Sequence, residues 1–344
     1  MTDHFWLGMF VIFVSGILNG AFPLPMKYAR HWRWENTWFA FSVIGIFAMP
    51  WILAATFVPH LGEVYQSVPV RALLPPLIFG FLWGIAQVTF GLSIDAVGMA
   101  IAVAVVGGLG CLAGALVPLL VLSPADLFRP RGVLLLSSMP ILFAGLALYG
   151  FAGRRRERER PATHAAASSA PIVGSFAAGL AIAIFTGIFA SNFNLGFAFS
   201  GELLRKTFSL GAGALTGTYA VWALVFGAGS IPNLLYCFFL LVRRRTLRLF
   251  LGRGWPKETF LSAAMAALWI AGVFGYGMGA TLVGKYGTSV GFTLFMAMSI
   301  LASNGAGILA GEWQATSPRT RTLLTAGMIV IVVSVCVLNL GGLF

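Results

Sequence analysis

Charge is what this chain has least of. Asp, Glu, Lys and Arg together supply 9% of its 344 residues, where a soluble domain carries about 25%. A chain so poor in charge cannot coat a water-facing surface, and a soluble globular protein is excluded. Acidic residues are scarcer still, 10 against 22 Lys and Arg. The resulting net charge of +12 does not mark a nucleic-acid partner, because the basic residues lie in short clusters between apolar runs. Histidine is nearly absent: His4, His31, His60 and His164 all fall in termini or connecting segments. Cys111, Cys237 and Cys336 stand far apart, each inside an apolar run, so neither a disulfide framework nor a metal-ligand spacing is present. No metal and no cofactor is expected. "GATLVGKY" (Gly279 to Tyr286) has the spacing of a phosphate loop, but Tyr286 stands where a magnesium-binding hydroxyl is needed and no strand precedes it.

What is abundant is apolar. Hydrophobic residues make up 59% of the chain and its mean hydropathy is +0.91. A bilayer core of roughly 30 Å takes about 20 such residues per helix. Runs of that length are expected at about 5–26, 37–58, 72–94, 97–122, 132–152, 172–199, 213–242, 259–283, 287–310 and 322–343. The first run lacks the positive start and short core of a cleaved signal and reads as a permanent helix. None alternates in the way a membrane strand does. The expected fold is therefore an all-α integral membrane protein with ten transmembrane helices.

Orientation follows the basic residues. Sixteen of the 22 lie in the odd-numbered connections, among them "KYARHWR", "RRRERER" and "RRRTLRLFLGRGWPK". Those connections should face the cytoplasm, with both termini outside the cell membrane. "GRRRERERPATHAAASSAP" (Gly153 to Pro171) has the charges and small residues of a solvated tether. It divides the chain into 1–153, a basic linker 154–170, and 171–344.

The two halves resemble each other. "SGILNGAF" (Ser15 to Phe22) matches "TGIFASNF" (Thr186 to Phe193). Gly45 with Pro50 matches Gly227 with Pro232. "LWGIAQVTFGLSIDAVG" (Leu82 to Gly98) matches "LWIAGVFGYGMGATLVG" (Leu268 to Gly284). The matches fall in the same order and pair helix one with six, two with seven and three with eight. Five helices per half send the second copy into the membrane from the opposite side, giving two inverted five-helix repeats. The pairs Gly110/Gly114 and Gly307/Gly311 read as close helix packing.

Polar groups within spans are candidates for function, because hydrocarbon penalises them. They are Asn19, Gln87, Thr89, Asn192, Asn194, Ser299, Ser303 and Asn304. Amides both donate and accept hydrogen bonds, which suits a small neutral polyhydroxyl ligand. Trp83, Trp269 and Tyr276 offer faces on which an apolar sugar surface can stack. Serines and amides also tie helices together, so each of these residues carries both readings. Carboxylates able to carry a coupling proton lie only at helix ends: Glu35, Asp95, Glu202 and Glu312. Asp3, Glu63, Asp126, Glu157, Glu159 and Glu258 are expected to be solvated in connections or ends.

"KYARHWRWENTW", "WGIAQVTFGLSIDAVGM" and the closing "GEW" resemble the bacterial L-rhamnose–proton symporters, in the ten-helix branch of the drug/metabolite transporter superfamily. The likeness is carried by Pro25, Lys27, Trp32, Trp34, Glu35, Trp38, Trp83, Gly84, Gly91, Leu92, Gly98, Met99, Trp269, Tyr276, Glu312 and Trp313, and is densest from Pro25 to Pro118. It implies ten helices in two inverted halves around a central cavity, and uptake of a deoxy-sugar with protons. Gly272, Thr288 and Phe295 depart from the Gln, Asp and His that the resemblance implies there, while amides stand on helix six at Asn192 and Asn194. The alternatives are a drug or metabolite exporter of the same superfamily and a membrane enzyme; against the latter, no His/Asp/Glu/Cys cluster shares a helix face.

Overall fold

The computed structural model describes residues 2–97, 99–159, 176–213, 215–309, 311, 313–314 and 316–340. Most of the basic linker, and Glu312, lie outside them; of Asp95 only the backbone is described, on a helix. Among the described residues there is no strand.

Continuous apolar runs leave backbone groups no partner but their own helix, and the chain forms helices accordingly. α1 (Thr2–Ala21) ends in a proline-rich 3-10 turn at Leu24–Tyr28. α2 (Trp34–Phe41) passes through a π-helical stretch, Ser42–Ala48, into α3 (Met49–Phe57). Pro50 has no N–H to give to the turn before it, and the wider coil ahead of it accommodates that loss. A short α4 (Leu61–Ser67) precedes α5 (Val70–Val97), α6 (Met99–Leu122) and α7 (Pro130–Glu159).

The second half holds α8 (Phe176–Ala190), α9 (Asn192–Ala198), α10 (Gly201–Ser209), α11 (Tyr219–Arg243), α12 (Trp255–Val283), α13 (Phe292–Leu309) and α14 (Pro318–Leu340). The sixth expected span is broken at Ser191, and the seventh begins at Tyr219, after turns at 210–211 and 215–218. Nine stretches among the described residues are long and apolar enough to cross a membrane. The longest, Trp255–Leu309, takes in both α12 and α13. It turns sharply at Gly284, where φ is +79°, and Gly287 packs directly on the carbonyl of Ala280.

α1 lies against α12 and α13; α5 lies against α8, α9 and α11; α6 lies against α8; α7 lies against α14. The α5–α11 contact brings backbones together. A Cβ at Gly80 or Gly84 would stand 2.2 Å from the carbonyl oxygens of Val225 and Gly229, so only glycine fits. Phe10, Ile52, Ile78, Leu235 and Phe260 are exposed on the outside. Lipid chains, not water, suit such a surface.

Candidate functional site

A cavity of about 180 Å³ lies where α1, α2, α5, α11, α12 and α13 converge. Its walls are aromatic. The rings of Trp83 and Trp269 stack with centroids 6.0 Å apart and planes 20° from parallel. Phe226 sets its edge against both, at 5.2 and 4.7 Å. Phe41, Phe193 and Phe295 complete the enclosure.

Two amides open onto this surface. Gln87 sits one turn beyond Trp83 on α5, on the same helix face. It is half-buried, lines the cavity, and among the described residues makes no hydrogen bond. Asn19, near the end of α1, donates from Nδ2 to the Ser299 hydroxyl at 3.0 Å. That hydroxyl lies 2.7 Å from the Phe295 carbonyl, to which it donates. The Asn19 Oδ1 has no protein partner among the described residues. A cavity with flat apolar faces and a few convergent donors and acceptors fits a ligand that has hydroxyls at its rim and C–H groups on its faces.

Beside it lies a vestibule of about 190 Å³, bounded by Asn19, Phe22, Tyr149, Ser299, Ser303 and Asn304. Asn19 and Phe22 border both spaces. The vestibule lies at the end of α1 that leads into Lys27, Arg30 and Arg33.

The structure thus gathers Asn19, Trp83, Gln87 and Trp269 around one cavity, and Ser299, Ser303 and Asn304 around its neighbour. The remaining candidates stand elsewhere. The Thr89 hydroxyl is 2.8 Å from that of Thr186, a link between α5 and α8. Asn192 is buried at the start of α9 and is not on the cavity wall. Asn194 is engaged on every side: Nδ2 donates to the carbonyls of Gly114 and Thr288, each at 2.8 Å, and Oδ1 accepts from the Tyr276 hydroxyl. Tyr276 is completely buried among Phe197, Trp222, Phe292 and Phe295, and offers no stacking face to the cavity.

The carboxylates also sort themselves. Glu35 is buried at the start of α2, accepting from Arg244 Nη1 and the Thr246 hydroxyl, both at 3.1 Å. Glu202 is partly exposed, 4.0 Å from Arg71. Two groups expected in solvent are buried instead. Glu258 accepts the backbone N–H groups of Arg30 and His31 at 2.9 and 3.0 Å. Asp126 pairs with Lys285 and, at 3.4 Å, with Arg129. The hydrogen bond from Lys285 holds the Asp126 carboxyl below the usual carboxylate range, against the opposing effect of burial, with the Lys285 and Arg129 charges and a Tyr286 hydrogen bond adding to the lowering. No local spacing marks Glu258, whose partners are more than two hundred residues away; Asp126 has Arg129 three residues on, but Lys285, which closes over it, lies in the other half of the chain.

A many-helix membrane protein with a small central cavity, walled by aromatics and edged by uncommitted amides, defines a carrier of small solutes. A family model described as L-rhamnose-proton symport protein (RhaT) matches residues 1–343, and the chain belongs to that family. The family is one of transporters, not enzymes. The chain is 25% identical to the L-rhamnose-proton symporter of Pectobacterium atrosepticum, over 348 aligned positions that cover 99% of each protein. It is 23% identical to those of Cronobacter sakazakii and Shigella dysenteriae, again over 99% of each.

Proposed function

We propose that this protein takes up L-rhamnose or a related deoxy-sugar together with protons, across the bacterial cell membrane, by alternating access. The observation that carries the sugar reading is the pairing of an unpartnered amide, Gln87, with the stacked indoles of Trp83 and Trp269 on one cavity wall. The relatives named as L-rhamnose-proton symporters supply the sugar and the ion. Where the resemblance implies Gln at 272, this chain has Gly272, and a Cβ there would meet the Asn19 backbone nitrogen at 2.8 Å. An amide is supplied instead from α1.

The architecture proposed is that of the ten-helix branch of the drug/metabolite transporter superfamily, with ten crossings in halves 1–153 and 171–344. Counting α2 with α3 and α8 with α9 as one crossing each, the packing is consistent with an exchange of halves. α1 on α12 corresponds to α5 on α8, α1 on α13 to α6 on α8, and α7 on α14 to itself. Trp83 and Trp269, matched between the halves, touch each other, as residues near a two-fold axis would. The excess of basic residues in the odd connections supports a cytoplasmic position for the vestibule and the linker.

Glu35 is the rim carboxylate best suited to carry the proton. It is buried, and it bridges the halves through Arg244 and Thr246. Protonation would weaken that bridge, linking charge to the closure of residues 27–37 on 243–258.

The test is uptake of labelled L-rhamnose by proteoliposomes under an imposed pH gradient. Accumulation that collapses with a protonophore is expected. Sugar movement indifferent to the gradient removes the proton, and no movement of any deoxy-sugar removes the substrate reading in favour of an exporter.

A further inference from the structure

A carrier must close its cavity toward one face while the other is open; the inference below rests on that transport reading. The vestibule leads from the cavity toward the face where α1 ends. On the opposite side the cavity wall holds Phe193 and Phe295, and Asn194 lies beyond it, bonded to Tyr276, whose ring packs on Phe295. Three chain segments give the same order of depth. Along α12, Trp269 and Val273 line the cavity, Tyr276 bonds Asn194, and Lys285 lies past the helix end. Tyr276 is seven residues beyond Trp269, about 10 Å along the axis at 1.5 Å per residue. Along the next segment, Thr288 bonds Asn194 before Phe295 reaches the cavity. Along α6, Gly114 bonds Asn194, and Asp126 follows the helix end.

We propose that Asn194, backed by the Asp126–Lys285 ion pair, is the latch that holds the cavity shut toward the face bearing residues 123–129 and 284–286. One amide joins α6, α9, α12 and the 287–291 stretch, with both N–H groups and its oxygen occupied. The latch crosses the boundary between the halves twice, through Asn194 to Gly114 and through Lys285 to Asp126. Breaking it separates α6 from α9, α12 and α13, the movement that opens this face.

A neighbouring feature fits a two-state device. The indole N–H of Trp222 and the hydroxyl of Thr218 are buried, have no hydrogen-bond partner among the described residues, and face Gly277, the residue after Tyr276. Buried polar groups left unpaired are unfavourable. Opening this layer hydrates both, so the latch opposes a built-in bias toward release. Neither state then dominates by a wide margin, as repeated cycling requires.

The test reads sidedness. In protein whose Cys111, Cys237 and Cys336 are replaced, Ala190→Cys places one thiol on the cavity wall. Labelling by a membrane-impermeant maleimide is compared in right-side-out and inside-out vesicles. The parent should label from the vestibule face. Asn194→Ala should raise labelling from the other face by roughly five- to thirtyfold, the effect of one lost hydrogen bond or slightly more on a two-state ratio. Asp126→Lys and Lys285→Asp should each do the same, and the double exchange should restore the parent pattern. A purely structural role predicts lower yield with unchanged sidedness in the folded protein. Unchanged labelling in the single variants, or a double exchange no different from them, overturns the latch. Rhamnose uptake by the parent is scored separately, so loss of the latch leaves the transport reading standing.

Discussion

Trp83 and Trp269 lie face to face, 6.0 Å apart, though 186 residues separate them in the chain. Both indoles line the cavity, and each supports the other's position there. Trp83→Ala removes one of the two aromatic faces. It also opens a void, for which Trp→Ala changes cost about 3–5 kcal/mol of stability. Binding must therefore be read per folded molecule. The expectation is a loss of sugar affinity of about tenfold, in line with the 0.5–1.5 kcal/mol that aromatic contacts add beyond their buried area. Trp83→Phe should recover most of it. Equal affinity in all three proteins, measured by tryptophan-independent calorimetry, would take the stacking role from Trp83.

Gln87 gives the cleaner comparison, because its side chain makes no hydrogen bond among the described residues. Gln87→Leu should leave thermal stability close to the parent value. It should also weaken sugar binding by one to two powers of ten, since a ligand hydroxyl left unpaired in a dry site costs about 1–3 kcal/mol. A packing role predicts the reverse pattern: lower stability and unchanged affinity. The two measurements on one purified variant decide between them.

The contrast between Gln87 and Asn194 shows what the sequence can and cannot disclose. Both are amides inside apolar runs, and hydropathy marks both as exceptions. Only the partners distinguish them. Those of Asn194 lie 80 to 94 residues away in Gly114, Tyr276 and Thr288, a distance at which no periodicity speaks. Helix positions were legible because each run must satisfy its own backbone in lipid. The break at Ser191 was not, because the residues around it are as apolar as the helix they interrupt; the short α4 and α10 were not, because Glu63, Glu202, Arg205 and Lys206 make them read as polar connections. The burial of Glu258 and Asp126 was hidden for the same reason as the Asn194 hub: a carboxylate in a connection looks solvated until the partner loop from the other half closes over it.

The Asp126–Lys285 pair predicts a pH dependence with a definite sign. The folded-state carboxyl titrates below its unfolded value of about 3.9. The pair therefore contributes its full stability above that unfolded value, and loses it as pH falls through the lowered folded value. Melting temperatures of the parent and of Asp126→Asn should differ by a constant amount from pH 8 to about pH 5, and converge below about pH 4. A difference that grows on acidification would mean the carboxyl is not held ionised by Lys285 and Arg129.

Glu35 allows the coupling reading to be separated from a structural one. Its carboxylate is buried while Arg244 remains about half exposed. Arg244→Ala strands a buried charge, a change that typically destabilises by about 3–5 kcal/mol, and its effect on transport would be hard to interpret. Glu35→Gln is nearly isosteric: its Oε1 can accept from Arg244, and its amide N–H can donate to the Thr246 hydroxyl, which then accepts. It removes the exchangeable proton together with the carboxylate charge, while a hydrogen-bonded link between the two segments is kept. If Glu35 carries the coupled proton, this variant should exchange labelled sugar across the membrane at close to the parent rate, yet fail to accumulate it under a pH gradient. If Glu35 only clamps residues 27–37 to 243–258, exchange and gradient-driven accumulation should fall together or not at all. Measuring both fluxes in the same proteoliposomes separates the two, and retained accumulation in Glu35→Gln would return the proton to another carboxylate.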